Sequence, residues 1–427
     1  MTSAVLASPN AASAPPAAWR IIISASIGNA LEWFDLVVYG FFASTIAKLF
    51  FPTNDETVSL LLTLGTFGAS FVMRPLGALV MGVYSDRFGR KAALTLSILL
   101  MMCGTLMIAV MPTHASIGVL APAGIVLARL IQGFSAGGEF GSATAFLAEQ
   151  SRTRRGFFSS WQVASQGVTT ILAAGFGALL TGALSAQQLE SWGWRVPFLF
   201  GLLIGPVAYY IRTQIDETPE FLAAQKTETP LADTFSNQKE RLFVAIGLVT
   251  LATVGAYVTL YMPTYAIRQL GIPSSAAFSA TIVQGVMLLV FAPIVGSWSD
   301  RKGRIGIMKG AAVLIALLAY PAFYLLESTP TFGAMIAVMV GLGGLMAAYY
   351  GALPALLSEL FPVQVRTTGM ALGYNLAVTV FGGFAPFILT WLVASTGNKL
   401  APSFYVIFAA LLSLAALMRA RQRMGMK

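Results

Sequence analysis

The sequence predicts an all-α membrane protein, with twelve transmembrane helices in two pseudo-symmetric six-helix bundles. Three observations carry this. First, Gly82-Val-Tyr-Ser-Asp86-Arg87-Phe-Gly89-Arg90 returns as Gly296-Ser-Trp-Ser-Asp300-Arg301-Lys-Gly303-Arg304, and the shared Gly, Asp, Gly and Arg keep one offset of 214 residues, half of the 427. Second, the chain is 57% hydrophobic and only 10% charged, whereas soluble domains carry about 25% charged residues. Third, the apolar residues fall into twelve runs, most of them near the roughly 20 residues that a bilayer-spanning helix needs.

The runs lie near 20–47, 57–83, 92–111, 119–147, 156–184 and 195–213, then 241–267, 275–297, 305–326, 331–357, 367–395 and 401–419. Lipid offers no water to backbone N–H and C=O groups, so each run must be a helix. The 41 glycines suit helices that approach closely in lipid. The second and eighth runs each end in one copy of the repeated loop. Between the sixth and seventh lies a polar stretch with Asp216, Glu217, Glu220, Lys226, Glu228, Asp233, Lys239 and Glu240. The expected organisation is a disordered tail at 1–19, one bundle at 20–213, a linker at 214–240, a second bundle at 241–420 and a tail at 421–427.

The net charge of +9 is topological and calls for no nucleic acid. With an even helix count, Arg20, Arg87, Arg90, Lys91, Arg152, Arg154, Arg155, Arg212, Lys226, Lys239, Arg241, Arg301, Lys302, Arg304, Lys309, Arg366, Arg419, Arg421, Arg423 and Lys427 fall on one side. Only Lys48, Arg195, Arg268 and Lys399 fall on the other. Cytoplasmic loops hold the excess of Lys and Arg, which puts both termini in the cytoplasm. The single Cys103 reads as a small buried core residue and the single His114 as a loop residue. With one Cys, one His and no ligand cluster, neither a disulfide nor a metal site is expected.

A charge in mid-bilayer costs between about 2.5 and 17 kcal/mol, so charged residues inside the runs need a reason to be there. Glu32 and Asp35 lie in the first run, three apart and therefore on one face. Glu32 is about 18 Å along from Arg20. Two close carboxylates in a poorly hydrated site can hold and release a proton, so both are candidates for proton coupling. Arg129, in the fourth run, stands at a matching depth. Its flat fork of donors fits a carboxylate, of either a substrate or a neighbouring helix. Gln132 adds an amide one turn on. Arg74, in the second run beside Pro75, sits near the level of Asp86 and reads as part of a gating or structural ion pair.

Polar residues complete the candidate cavity: Asn29, Gln162, Gln166, Tyr257, Tyr261 and Asn375, with Trp161, Tyr265 and Tyr374 nearby. Glu139, Glu149 and Glu359 lie near cytoplasmic helix ends, with Glu149 and Glu359 at nearly repeat-related positions. Their natural partners are Arg87, Arg90, Arg154, Arg155, Arg301, Arg304 and Arg366. A charge network formed in one state and broken in the other biases a two-state equilibrium. Asp86 and Asp300 join the same set.

With these residues in hand, the chain resembles the major facilitator superfamily, whose signature is the GxxxDRxGR loop after the second and eighth helices. Within it the chain is similar to the metabolite:proton symporter family. The matching stretches are Gly28-Asn-Ala-Leu-Glu32-Trp-Phe-Asp35, Phe71-Val-Met-Arg74-Pro75-Leu-Gly77, Ala128-Arg129-Leu-Ile-Gln132-Gly133-Phe-Ser-Ala-Gly-Gly138-Glu139, Glu190-Ser-Trp-Gly-Trp194-Arg195-Val-Pro197-Phe and Phe381-Gly-Gly383. Thr66-Phe-Gly-Ala-Ser-Phe-Val-Met-Arg74, Tyr261-Met-Pro-Thr-Tyr265 and Arg366-Thr-Thr-Gly-Met look most like the citrate and tricarballylate branch.

The resemblance implies the major facilitator fold and proton-coupled uptake of an organic carboxylate by a multi-pass protein of the bacterial cytoplasmic (inner) membrane. The coupling ion is H+ and no cofactor is expected. The expected partners are a small organic acid and the lipid bilayer, and the chain is expected to be a monomer. The other substrates open to such a family are a dicarboxylate or keto acid, shikimate, or a zwitterionic osmolyte. A membrane sensor would need a signalling domain, and no segment is long enough. A membrane enzyme would need a nucleophile–base or metal set that this composition lacks. A cationic-drug antiporter is disfavoured by the mid-membrane Arg129.

Overall fold

In the computed structural model, the described residues are 18–88, 90–137, 139–151, 153–213, 237–362 and 365–426. Helices α1 (Ala18–Phe41), α2 (Ala43–Phe50), α3 (Glu56–Phe88), α4 (Arg90–Val110), α5 (His114–Ile117), α6 (Leu120–Ala136), α7 (Glu139–Glu149), α8 (Arg155–Ala183), α9 (Ala186–Ser191) and α10 (Val196–Thr213) build the first half. Helices α11 (Lys239–Leu270), α12 (Ser274–Lys302), α13 (Arg304–Ser328), α14 (Phe332–Leu360), α15 (Arg366–Ala377), α16 (Ala385–Thr396) and α17 (Ala401–Met424) build the second. No strand occurs among the described residues. The expected linker is described only from residue 237 and the expected first tail only from residue 18. The last helix runs to Met424, past the expected end of its bundle at 420.

Among the described residues, eight helical spans are long and apolar enough to cross a membrane. Another crossing is bent: residues Glu32–Phe41 and Ala43–Phe50 meet at 69°. Thr95–Val110, Leu120–Ala136 and Gly193–Leu203 are shorter apolar helices and fall in the third, fourth and sixth runs. The first run is thus broken where the sequence suggested one helix. Packing against the other half explains the break. Gly40 has no side chain and Leu260 takes that space, while the Phe41 and Phe42 rings sit 5.5 and 6.3 Å from Phe278. The eleventh run is also interrupted, by a π-turn at Val378–Gly382 between α15 and α16. Such turns free a carbonyl from the helical ladder and favour functional positions.

The halves meet most extensively along α8 and α12, with α14 alongside. Gly167 and Gly285 face each other there, and a β-carbon on Gly285 would stand 2.7 Å from the Gly167 carbonyl oxygen. Small residues at this crossing let two backbones touch, as helix packing in lipid requires. Cys103 is exposed on α4, towards lipid, which corrects its reading as a core residue. A short apolar side chain costs nothing on that surface.

Gly285→Val should force α8 and α12 apart and cost about 1–3 kcal/mol. Scanning fluorimetry of the detergent-solubilised protein should show a lower melting midpoint. Gly306→Val, where a β-carbon meets open space, should leave the midpoint unchanged.

Candidate substrate and proton site

Asp35 points into the first half and is 2% exposed. Its Oδ2 accepts a short hydrogen bond from the Thr105 hydroxyl on α4 and a longer one, 3.4 Å, from Gln132 Nε2 on α6. Its Oδ1 has no partner and lies against α10, where a β-carbon at Gly201 would stand 2.8 Å away. Gln132 Nε2 also donates to Thr105, at 3.0 Å, and its Oε1 accepts from Arg129 Nη1 at 2.7 Å. The Gln132 amide therefore connects the acid of α1 to the arginine of α6.

Arg129 makes no ion pair among the described residues. Its Nη2 donates to Ser70 Oγ at 3.3 Å and its Nε has no partner. Its guanidinium carbon lies 4.6 Å from the Tyr39 ring centre and 5.1 Å from that of Phe67. Aromatic faces attract a cation most strongly when water is excluded, so the rings stand where a counter-ion would be expected. Glu32, a turn before Asp35, takes the other arginine: Arg74 Nη2 to Glu32 Oε1 is 2.8 Å, with both side chains buried. The three-residue step from Glu32 to Asp35 points the two acids to different arginines.

Asn29 donates to the Gln162 carbonyl oxygen at 3.0 Å and to Ser165 Oγ at 2.9 Å, tying α1 to α8. Gln162 accepts a short bond from Thr144 and leaves its Nε2 unpartnered. Asn375 donates to the Gly137 carbonyl oxygen at 2.7 Å, across the two halves, and leaves its Oδ1 unpartnered. Tyr257 is fully buried, edge-on to Phe67 and Phe71 at 5.9 and 5.4 Å, with an unpartnered hydroxyl. Tyr261 is buried beside Tyr265, whose hydroxyl donates to the Lys399 carbonyl oxygen. Gln166 lines a central cavity of about 30 Å³ with Trp33, Val37, Gln284 and Tyr350. That is room for a water or two. Asp35 and Arg129 do not line it, because Trp33 and Val37 occupy the inter-half face of α1 and Asp35 the other.

The halves touch at both ends. On the face where α1 begins and α17 ends, Asp300 accepts from the first backbone N–H groups of α8, Gly156 at 2.7 Å and Phe157 at 3.0 Å, where a helix dipole favours an anion. Arg304 pairs with Asp300 at 3.2 Å and Glu359 at 2.9 Å. Arg366 pairs with Glu149 across the halves at 3.6 Å. Arg301 is exposed. Asp86, Arg87, Arg90 and Glu139 have side chains outside the described residues. On the opposite face Arg268 of α11 reaches Glu56 and Ser44, both at 3.2 Å. Sequence reasoning missed this contact. Its signal was available: Arg268 is one of few cations on that side and Glu56 one of few acids. Among the described residues, the halves are therefore in contact at both ends.

The sequence matches the major facilitator superfamily model over residues 25–386. The chain belongs to that superfamily. Citrate-proton symporters of Klebsiella pneumoniae and Salmonella typhi are 38% and 39% identical to it, each over 92% of this chain and over 90% and 92% of their own lengths. A proline/betaine transporter of Escherichia coli strain K12 is 33% identical over 92% of this chain and 82% of its own. Among solved structures, a D-xylose-proton symporter superposes with a TM-score of 0.74 at 20% identity, covering 92% of this chain and 97% of that one; this likeness bears on the fold. As a member of the superfamily, the chain is a multi-pass inner-membrane protein.

Asp300→Asn removes the anion at the start of α8 and should weaken closure at the terminal face by about 1.5–3 kcal/mol, the worth of hydrogen bonds to a charged group. In a Cys103→Ser background, an impermeant maleimide should then label a cysteine placed at Ser160 at least about tenfold faster, the factor that corresponds to 1.4 kcal/mol.

Proposed function

We propose that this protein is a proton-coupled symporter that brings an organic carboxylate, citrate or a related tricarboxylate, into the cell by alternating access. The observation that carries the site assignment is Arg129: a buried cation with no carboxylate partner among the described residues, joined through one amide to a buried carboxylate with an unpartnered oxygen. A protein that paid only for structure would close that charge with an acid. The citrate-proton symporters similar over nine-tenths of the chain support the same reading of the cargo.

Asp35 is assigned the coupling proton. It can gain or lose one without breaking an ion pair, whereas Glu32 would have to give up Arg74. The charge of Asp35 reaches Arg129 through Gln132, so protonation of one end changes how much of the guanidinium's charge remains for a substrate carboxylate. The cargo is opposed on the way in by about 2.3 kcal/mol per negative charge per 100 mV of inside-negative potential. Protons moving with it offset that cost. Asp300, Arg304, Glu359, Glu149 and Arg366 act as the latch of the terminal face, which we assign to the cytoplasm, and Arg268 with Glu56 as the latch of the other.

Reconstituted into proteoliposomes, the protein should accumulate labelled citrate or tricarballylate when the outside is acidified. Arg129→Gln should reduce uptake at least about a hundredfold. Asp35→Asn should abolish the acceleration by acid outside pH, because the step that loads a proton has been removed. Normal uptake by the Arg129 variant would make that residue structural, and no uptake of any carboxylate by the wild type would refute the function.

A further inference from the structure

The Glu32–Arg74 pair lies between the halves in a way that the Arg129 network does not. The Arg74 guanidinium carbon is 4.5 Å from the Phe71 ring centre. The Phe71 carbonyl oxygen accepts from Thr379 in the π-turn of the second half, at 3.0 Å, and the Phe71 ring meets Tyr257 edge-on. Tyr257 and Tyr374 are both within electrostatic reach of Arg74. Tyr374 is stacked on Phe140 with ring centres 3.5 Å apart, and the next residue, Asn375, bonds Gly137. Of the two arginines inside the first half, Arg74 is thus the one turned toward the other half, and α11 and α15 supply the groups opposite it.

Three polar atoms in this region are buried with no partner: Arg74 Nε, Tyr257 Oη and Asn375 Oδ1. Leaving a buried polar group unpaired costs about 1–3 kcal/mol each. The two donors stand beside an ion pair, on opposite halves. That pattern suits a ligand that bridges the halves with an anionic group, since it would satisfy the donors and reward closure.

We propose that Arg74 and Tyr257 form a second carboxylate subsite, occupied when a substrate carboxylate replaces Glu32 on Arg74 and Glu32 takes a proton. This rests on the symport reading above and gives that site its substrate requirement: anions with at least two carboxylates, one for Arg74 and one for Arg129. The exchange balances. One substrate carboxylate replaces one protein carboxylate at the guanidinium, and the displaced Glu32 carries one proton, so the pair's net charge is unchanged. Asp35 carries another proton for the Arg129 side. At least two protons therefore travel with each polycarboxylate. Among the described residues, the charged and titratable groups that face the Glu32–Arg74 pair include Tyr257 on α11, Tyr374 on α15 and, beside Arg74, Arg129 on α6, with Asp35 one turn further along α1. Glu139 of α7 has its side chain outside the described residues.

The test uses the purified full-length protein and two variants. Tyr257→Phe removes a hydroxyl that bonds nothing here, so the melting midpoint without citrate should stay the same or rise, while citrate affinity falls about tenfold by titration calorimetry. The pair Glu32→Gln with Arg74→Gln replaces an ion pair by neutral amides and leaves no lone buried charge. It should lower citrate affinity toward that of a monocarboxylate such as acetate. The proton-to-citrate ratio, from the reversal potential in proteoliposomes, should fall by one. Wild-type citrate affinity in Tyr257→Phe, or a wild-type proton ratio in the double variant, overturns the subsite. A wild-type protein that binds citrate only as weakly as acetate also overturns it, while leaving carboxylate symport standing. If the wild type transports neither, the underlying reading fails with it.

Discussion

Arg74, Arg129, Glu32 and Asp35 lie buried among the apolar helices of the first half, and lipid leaves little tolerance for uncompensated charge. The structure meets that constraint unequally. Arg74 has Glu32 at 2.8 Å. Arg129 has aromatic faces, a serine hydroxyl and the Gln132 amide. A direct ion pair is neutral and self-sufficient. An arginine held by rings and amides keeps more of its charge for something else. Much of the architecture around α1, α3, α4 and α6 serves to keep these two arrangements apart, with Glu32 and Asp35 sent in different directions by a three-residue step.

Closure at both ends follows from contacts of different strength. The terminal face combines a charged cap on α8 with two further ion pairs, partly buried. The opposite face relies on Arg268 with Glu56, whose side chain is 73% exposed, and exposed pairs are worth about 0–1 kcal/mol. Aromatic and glycine packing at Gly40 and Phe278 supplies the rest there. The cavity lined by Trp33, Val37, Gln166, Gln284 and Tyr350 is about 30 Å³. A carrier must open one end at a time, so the seam along α8 and α12, where backbones touch at Gly167 and Gly285, must hold or rock as a unit while the ends part.

Much of this was legible beforehand, and the reasons are physical. Lipid forbids unpaired backbone, so the apolar runs had to be helices, and the repeated loop at a constant offset marked the duplication. The cost of burying charge singled out Glu32, Asp35, Arg74 and Arg129 without any structure. The chain could not show which acid meets which arginine, because that depends on how helices from different stretches are rotated about their axes. The same limit hid the Arg268–Glu56 contact, whose members are far apart in sequence, and the lipid-facing position of Cys103. It also hid that Asp35 turns away from the central cavity while Trp33 and Val37 line it.

Composition and periodicity thus settle the class of molecule: a duplicated helical membrane protein with charges where charges are expensive. They do so because hydropathy and backbone satisfaction act locally, residue by residue. The pairing of Arg74 with Glu32, the amide bridge from Arg129 to Asp35, the kink after Phe41 and the π-turn at Val378–Gly382 emerge only when the halves are packed together. Each is a compromise among side chains brought within a few ångströms of one another from distant parts of the chain, and no local rule of the sequence encodes such distances.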